Sequence, residues 1–523
     1  MNRLRRFIIN GTLMAVVAIL IRSVAVAFNV YISNKIGAVA MGLFSLISTV
    51  YGFGITFATS GINLATTRLI AQALGDTSKT DKKSIRAQYK NNGEVRCMLI
   101  RCIAYSLFFG AIATVVLWLF ADEIGIMILK DSRTIYPLKV LAITFIPIAV
   151  SSVLSGYFSA IRQVQKNAVV QVIGQGIKIY SSVMLLSVSV ANDVESACMS
   201  VIWGGVIAEI ISFLIGLVMF LFSSPKKKKG IERKSKKKAT KELLSNSLPL
   251  AFSAYMRSAL VTIEHILIPQ GLEKSGSSKD LSLAAYGTVS GMVFPLILFP
   301  SAISASFAGL LIPEVAESCA TNDVRRVKGI INTVIETVLT FSVGCAGIIM
   351  SFSLELGRTV YPQAPEAGKY ILMIAPLIPI MYLDTAIDSM LKGMGEHVYS
   401  MVVNIADAFI SVILVAILLP KMGINGYIVT VYFTEILNAT LSITRLLVKS
   451  QVKTHLILWV GRPLLCVICA TKLTHFLVTT FVFGNVWLHI AISIIMYILF
   501  MILTGGIKLG RIVNRIKYMI KQK

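Results

Sequence analysis

The sequence predicts an all-α polytopic membrane protein with about fourteen transmembrane helices. Its 523 residues are 56% hydrophobic and only 14% charged, with a mean hydropathy of +0.78, whereas soluble domains carry about 25% charged residues. The apolar residues form separate stretches of about 20 residues, the length that crosses a bilayer as a helix. Only 8 of the 50 lysines and arginines lie in gaps that would face outward. This positive-inside pattern explains the net charge of +25 without a nucleic-acid partner.

The apolar stretches place spans 1 to 14, in order, at residues 8–33, 40–62, 98–121, 137–158, 168–190, 200–222, 248–270, 283–307, 330–352, 370–391, 398–420, 424–447, 457–482 and 486–507. Both termini then face the cytoplasm. So do the basic loop after span 2 and the run Lys226–Lys241. Four tryptophans lie near span ends, where aromatic belts meet the headgroups: Trp118, Trp203, Trp459 and Trp487.

The two halves of the chain match in order, which indicates an internal repeat. The matched segments are Ile21–Val24 with Met256–Ala259, Phe57–Ile62 with Leu298–Ile303, Pro147 with Pro379, and Ser159–Lys166 with Leu391–Val398. The last two pairs share an offset of 232 residues. Because each copy holds an even number of spans, both copies enter the membrane in the same direction. The sequence therefore predicts two pseudosymmetric six-helix lobes with a cleft between them.

The repeat and the charge runs divide the chain into five predicted regions. These are an N-lobe at 1–222, a basic cytoplasmic linker at 223–247, a C-lobe at 248–447, spans 13 and 14 at 448–507, and a basic cytoplasmic tail at 508–523. We interpret the linker as a solvated segment that also fixes orientation.

Several charged residues fall inside predicted spans. A charge near mid-membrane costs at least ~2.5–3.5 kcal/mol, so it must face protein or water. Arg22 and Arg257 occupy the middle of the first span of each repeat, and Lys178 lies deep in span 5. Facing one central cavity is one interpretation; ion pairing within the membrane, for example of Arg257 with Glu264, is the other. Guanidinium groups bind phosphate oxygens bidentately, so the cavity interpretation favours an anionic substrate such as a diphosphate.

Oxygen ligands suited to Na⁺, or carboxylates able to carry H⁺, form a second group of candidates. Asn404 and Asp407 lie one helical turn apart on span 11. At similar depth are Glu264 on span 7 and, on span 12, Thr430, Thr434 and Glu435. Hydrogen bonding between helices is the competing explanation. We find no nucleophile–base pair, phosphate-cradling glycine loop or metal cluster in the sequence. We therefore expect a transporter without a catalytic residue or cofactor, coupled to Na⁺ or H⁺.

Short motifs along all fourteen spans resemble a known family. Gly11-Thr12-Leu13, Met41-Gly42-Leu43-Phe44, Lys392-Gly393-Met394-Gly395 and Gly423-Ile424-Asn425-Gly426 are similar to segments of stage V sporulation protein B-like proteins. These belong to the polysaccharide biosynthesis (oligosaccharide flippase) branch of the multidrug/oligosaccharidyl-lipid/polysaccharide flippase (MOP) superfamily, together with lipid II flippases.

The resemblance implies two lobes in a V shape, alternating access, and export of sugars linked to undecaprenyl diphosphate. It implies that Arg22 and Arg257 contact the diphosphate, with Arg68 as a further candidate. It also implies that spans 13 and 14 border a groove for the lipid tail. Some relatives bind Na⁺ between spans 7, 11 and 12, which Asn404 and Asp407 partly match; Glu264 or nothing stands where those relatives have an aspartate.

The sequence thus leads to the hypothesis of a flippase for a lipid-linked cell-wall precursor or oligosaccharide in the bacterial inner membrane. Its expected partners are the lipid-linked glycan, the phospholipid membrane and cell-wall synthesis enzymes. A multidrug/cation antiporter, a membrane glycan polymerase or ligase, and a non-transporting scaffold are the alternatives. The paired arginines argue against the antiporter, which would have an acidic, aromatic-lined cavity.

Overall fold

The protein is helical throughout the part that the structure describes. The computed structural model describes residues 3–59, 61–78, 93–188, 193–222, 233–321, 323–452, 457–481 and 485–506. Every regular element in these ranges is a helix or a helical turn, and none is a strand. The predicted fold class is confirmed.

Among the described residues, the first half of the chain contains seven helices of at least eight residues. They are α1 (Arg3–Thr59), α2 (Ile62–Ser78), α3 (Gly93–Leu119), α4 (Ile135–Ala142), α5 (Phe145–Ala160), α6 (Val164–Val188) and α7 (Val194–Leu221). Gly37, with φ 79° and ψ 174°, breaks α1 and separates predicted spans 1 and 2. A short helix (Ala121–Glu123), a π-helical turn (Ile124–Ile128) and a 3₁₀ turn (Ser132–Thr134) connect α3 to α4.

The second half continues with twelve helices. They are α8 (Arg233–Lys274), α9 (Lys279–Tyr286), α10 (Phe294–Leu298), α11 (Ser301–Ala320), α12 (Val324–Ser351), α13 (Ser353–Val360), α14 (Ala367–Ile374), α15 (Ile378–Gly393), α16 (His397–Met422), α17 (Ile424–Ser450), α18 (Arg462–Phe481) and α19 (Val486–Leu503). A π-helical turn (Gly287–Val293) joins α9 to α10, a 3₁₀ turn (Ala375–Leu377) joins α14 to α15, and a π-helical turn (Ile457–Gly461) precedes α18.

Within the part of the chain that the structure describes, ten helical segments are long and apolar enough to cross a membrane, or eleven if the bent pair α4–α5 counts as one span. One of the ten, Ile19–Ala73, contains both predicted spans 1 and 2. The helices α8 and α17, which coincide with predicted spans 7 and 12, carry charged residues within them: Arg257 and Glu264 in α8, and Glu435 in α17. The count of apolar segments is therefore lower than the fourteen predicted spans for three reasons: spans 1 and 2 fall in one segment, span 4 is the bent pair, and spans 7 and 12 carry charges.

The predicted boundaries shift where helices continue beyond the apolar stretch. The helix α8 begins at Arg233, so the second part of the predicted 223–247 linker is helical. Three basic segments lie outside the described residues: 223–232 with four of the nine linker lysines, 79–92 with most of the loop after span 2, and the tail 507–523. Trp459 is only 6% exposed and lies in the turn that precedes α18, at the start of predicted span 13.

The internal repeat is visible as a duplicated broken helix. The pair α4–α5 and the pair α14–α15 each combine 8 residues with 16 residues. Each 16-residue helix has its proline, Pro147 or Pro379, near its start. The longer helices end in equivalent turns, with positive φ at Arg162 (59°) and Gly395 (83°). Those turns are 233 residues apart, one more than the sequence offset, because the break before α15 holds one more residue than the break before α5.

The two lobes meet closely at the end of the bundle that the charge pattern predicts to face outward. There Gly42 lies against the Leu283 carbonyl, and a β-carbon on Gly287 would overlap Ala38 and Gly42 backbone atoms. Asn34 donates a hydrogen bond of 2.7 Å across the interface to the Val360 carbonyl. Glycine at this crossing lets the two backbones approach without intervening side chains. We call this contact the outer crossing.

Ion pairs reinforce the outer crossing. Asp131, only 2% exposed, accepts hydrogen bonds of 3.0 and 2.8 Å from the Arg133 guanidinium. From the other lobe, Lys279 approaches Asp131 at 3.4 Å and Asp280 accepts a 3.1 Å bond from Arg133. Burial raises the pKa of Asp131, but the hydrogen bonds and charge of Arg133, with the charge of Lys279, outweigh it and hold that pKa below its ordinary value.

We expect Gly287→Ala to separate the lobes at the outer crossing, since the added methyl group meets backbone atoms that cannot rotate away. A cost of about 1–3 kcal/mol, as for other overpacking changes, should favour opening. The measurement is labelling by an impermeant thiol reagent of a cysteine at Ser282, fully buried in α9, in a protein whose seven native cysteines are replaced. Gly329→Ala, with open space around it, is the control. Equal labelling of both variants would contradict the crossing.

We expect Asp131→Asn to increase the same labelling about fivefold, the effect of roughly 1 kcal/mol, because the amide loses its attraction to Lys279. In the wild type, the stabilisation is present above the ordinary carboxyl pKa of 3.8 and is lost as the pH falls through the lower folded value, so acid should increase labelling. The control is Asp122→Asn, which removes an exposed ion pair to Lys139 within one lobe. A larger effect in the control would refute this role of Asp131.

Candidate functional site

Arg22 lies at the interface between the lobes. Its side chain, in the first half of α1, is exposed and donates through Nη2 to the Leu298 carbonyl at 3.3 Å and to Ser301 Oγ at 3.5 Å. Both acceptors belong to the opposite lobe. These bonds are long for a guanidinium, and they engage one of its nitrogens. The remaining donors are available to a ligand in the cleft.

The first helix of the C-lobe makes the corresponding approach to the N-lobe. Tyr255 of α8 donates to the Phe57 carbonyl at 3.4 Å, and Ser258 contacts Thr56 at 3.3 Å. Phe57 and Leu298 start the two segments that match between the halves of the sequence. The first span of each lobe therefore contacts the second span of the other. Arg22 and Arg257 lie on those two first spans.

Arg257 lines a cavity of about 140 Å³ within the C-lobe. The other polar residues of this cavity, which we call the C-lobe cavity, are Glu264, Asn404, Asp407, Ser411, Tyr427, Thr434 and Glu435. No ion pair within 4 Å involves Arg257 among the described residues. The alternative of a direct Arg257–Glu264 salt bridge is thus absent, although both residues face the same space. One guanidinium shares the cavity with three carboxylates.

The C-lobe cavity presents oxygen atoms that a small cation could use. Asp407 Oδ1 is buried without a hydrogen-bond partner in the described chain. Asn404 donates its amide to the Ser400 carbonyl at 2.7 Å, which leaves its oxygen as an acceptor. No group of three acidic, histidine or cysteine side chains is close enough to hold a metal ion among the described residues. The set therefore fits a monovalent cation held partly by neutral oxygens, or a proton.

Thr430 is placed differently from the other cation candidates. It is fully buried, and its hydroxyl donates to the Gly426 carbonyl at 2.9 Å within its own helix. Thr434, one turn further along α17, lines the cavity. Of the two threonines that the sequence singled out on this helix, Thr434 is the one that lines the cavity.

Lys178 and Arg68 lie away from the lobe interface. Lys178 of α6 lines a second cavity, of about 560 Å³, inside the N-lobe, and Glu209 of α7 lines it too. We call this the N-lobe cavity. Arg68 is exposed on α2 and lines neither cavity. The four predicted substrate-binding residues therefore occupy separate places: the interface, one cavity in each lobe, and the surface of α2.

The N-lobe cavity contains polar residues that the sequence reasoning did not single out. They include Asn63, Ser152, Asn167, Gln171, Gln175 and Ser212. A signal for them existed, since Asn167, Gln171 and Gln175 recur every four residues along α6 and so share one face. The search for full charges in spans passed over these neutral amides.

Comparison with known proteins gives consistent matches. The family model described as "Polysaccharide biosynthesis protein" matches residues 8–318, and the model "MatE" matches residues 275–418. Stage V sporulation protein B of Bacillus subtilis is 25% identical over 426 residues, covering 80% of this chain and 79% of that protein. Lipid II flippase MurJ of the same organism is 23% identical over 435 residues, covering 76% and 77%.

A solved structure of lipid II flippase MurJ in an inward closed conformation superposes with a TM-score of 0.68 at 12% identity, covering 94% of this chain and 98% of that one. This likeness shows the fold. The family resemblance inferred from short motifs is confirmed by these matches.

We expect Arg257→Gln to bind Na⁺ about tenfold more tightly in the C-lobe cavity, because a fixed positive charge beside carboxylates opposes a second cation. The measurement is the Na⁺ concentration that half-maximally raises the thermal unfolding temperature in detergent. Arg22→Gln removes a guanidinium outside this cavity and should leave that midpoint unchanged. An unchanged midpoint in Arg257→Gln would show that the guanidinium does not act on these acids.

Proposed function

Because the chain belongs to the polysaccharide biosynthesis protein family, within the MOP superfamily of membrane transporters, we propose that it is a flippase for a glycan linked to undecaprenyl diphosphate. It moves this lipid-linked cell-wall precursor or oligosaccharide across the bacterial inner membrane by alternating access. Both termini face the cytoplasm, and the exported lipid serves cell-wall synthesis enzymes on the outer surface.

The observation that carries the proposal is the placement of Arg22. A mid-span guanidinium at the lobe interface, held by two long hydrogen bonds from one nitrogen, is prepared to exchange them for phosphate oxygens. A diphosphate carries its charge into a region of low dielectric constant, so cationic side chains must replace lost water. Arg257, on the equivalent span of the other lobe, supplies the second guanidinium.

The proposed transport cycle is based on the two sets of contacts that join the lobes, at Arg22 and at the outer crossing. The headgroup enters from the cytoplasmic side and binds Arg22, which releases Leu298 and Ser301 of the C-lobe. The lobes then rotate, the outer crossing opens and the headgroup faces outward. The polyprenyl chain stays in the lipid beside α18 and α19, which carry exposed apolar side chains such as Leu465 and Phe476.

Arg257 links the substrate to a cation. While it faces the C-lobe cavity, its charge compensates Glu264, Asp407 and Glu435. When the diphosphate draws the guanidinium toward the cleft, the carboxylates are left to take up Na⁺ or H⁺. Release of the substrate returns Arg257 and expels the cation. The diphosphate carries more negative charge than one cation neutralises, so a membrane potential that is negative inside favours the outward step of the loaded carrier.

A multidrug/cation antiporter is the second candidate, favoured by the acidic C-lobe cavity and by the MatE match over residues 275–418. Such a protein would export cationic drugs through the C-lobe. Expression in a drug-sensitive strain separates the two: the flippase leaves resistance unchanged but rescues cells depleted of their lipid II flippase.

We expect Arg22→Ala to reduce translocation of a fluorescent lipid II in proteoliposomes at least tenfold, and Arg22→Ala/Arg257→Ala to abolish it, because the diphosphate loses its charge partners. The matched control is Arg325→Ala, an exposed arginine at the start of α12 that lines neither cavity. Undiminished transport in the double variant would refute the assigned roles. Complementation of flippase-depleted cells by the same variants tests the function in vivo.

A further inference from the structure

The N-lobe cavity is large, polar and built from several separate helices. Its walls come from α1, α2, α5, α6 and α7, and its volume of about 560 Å³ lies within the ~300–1,000 Å³ range of small-molecule sites. It is about four times the volume of the C-lobe cavity. Helix packing alone does not explain a cavity of this size that contains amide and hydroxyl groups.

The polar groups in the N-lobe cavity are only partly used by the protein. Asn63 donates to the Ser152 carbonyl at 3.3 Å, and Asn167 donates to the Ser155 carbonyl at 3.0 Å, which leaves both amide oxygens as acceptors. The side chains of Gln171 and Gln175 have no hydrogen bond among the described residues. Each carries two donors and an acceptor into the cavity.

The charges of the N-lobe cavity balance. Lys178 and Glu209 face it from neighbouring helices, and they form no ion pair within 4 Å in the described chain. A site with one basic group, one acidic group and several neutral donors and acceptors does not select a charged drug or a bare phosphate. It suits a ligand rich in hydroxyl and amide groups, which can donate and accept at many positions.

The N-lobe cavity adjoins the proposed diphosphate contact. Ile21 lines the cavity, and Arg22 is the next residue on α1. Thr59 and Asn63, on either side of the break between α1 and α2, also line it. A diphosphate held by Arg22 therefore leaves its attached headgroup next to the opening among these residues.

We propose that the N-lobe cavity is the site that recognises the glycan of the lipid-linked substrate, with the amide face of Asn167, Gln171 and Gln175 binding sugar hydroxyl and acetamido groups. This inference rests on the proposed function, since it assigns a place to the headgroup of that substrate. Arg22 and Arg257 bind the diphosphate common to all such lipids, and the N-lobe cavity distinguishes one glycan from another.

The test compares two lipids that share the undecaprenyl diphosphate: lipid II carries a disaccharide-peptide on it, and undecaprenyl diphosphate carries nothing. Equilibrium binding of lipid II and of undecaprenyl diphosphate is measured for the full chain in nanodiscs. The double variant Gln171→Leu/Gln175→Leu keeps side-chain size and removes the hydrogen-bonding groups. We expect it to bind lipid II about tenfold more weakly, for two to three lost hydrogen bonds, and to bind undecaprenyl diphosphate within about twofold of the wild type.

Three further variants serve as controls for the binding measured with the double variant. Gln165→Leu makes the same change at an exposed position at the start of α6, outside the N-lobe cavity, and should bind both lipids normally. The single change Gln175→Met provides a milder variant, with a smaller loss for lipid II, in case the double variant folds poorly. Arg22→Ala should weaken binding of both lipids.

The outcomes separate the two proposals. The glycan assignment is overturned if the wild type binds both lipids equally, or if the leucine variant binds lipid II normally or loses both lipids to the same extent. In each of those cases a loss of both lipids in Arg22→Ala still supports the flippase. If Arg22→Ala changes neither affinity, the diphosphate role fails and the proposed function with it.

Discussion

The cost of placing charge inside a bilayer governs this structure. Arg22, Arg257 and Lys178 lie on helices that otherwise read as apolar spans, and each must avoid lipid. The fold accommodates them in three spaces: the interface between the lobes and one cavity within each lobe. A bundle with solid cores would have no room for them. The hollow lobes are therefore a consequence of the residues they contain, and the chemistry of transport is concentrated where the packing is interrupted.

The contacts between the lobes at the outer end of the molecule differ in kind from those nearer its middle. At the outer crossing, Gly42 and Gly287 bring backbones together, and buried Asp131 joins charges from both lobes. Nearer the middle, the contacts are long hydrogen bonds from Arg22, Tyr255 and Ser258, at 3.3 to 3.5 Å. Such bonds contribute little individually, so a ligand can replace them. Close backbone packing and ion pairs hold the lobes together at the outer crossing. The hydrogen bonds near the middle can be exchanged for bonds to a ligand.

Much of the fold could be predicted because a membrane helix is recognisable from its local apolar composition. Apolar stretches predicted the spans, and the matched prolines Pro147 and Pro379 predicted a repeat; that each marks a broken helix is a finding of the structure. Helix ends were less predictable: α8 continues to Arg233, through residues with no apolar signal. The extra residue before α15 also escaped notice, since a one-residue shift in a turn barely alters a sequence match.

The site was predicted only in part because cavities depend on helices far apart in the chain. Sequence identified Arg257, Glu264 and Asp407 as charges needing an explanation, and they share one cavity. It could not decide which of Thr430 and Thr434 faces that cavity, since both lie on the same side of α17. The N-lobe cavity is formed by five helices, so the meaning of Gln171 and Gln175 emerges only once those helices are assembled.

The unbroken course of α8 has a mechanical consequence. Its 42 residues extend over about 63 Å, twice the hydrocarbon thickness of about 30 Å, so a single crossing of a bilayer leaves a stalk of helix on the side of the basic linker. A sideways force on the free end of this stalk would tilt the helix at Tyr255 and Arg257. Whatever anchors that stalk, whether anionic headgroups or an adjoining enzyme, would set the resting angle of the C-lobe and hence the pace at which cargo is admitted.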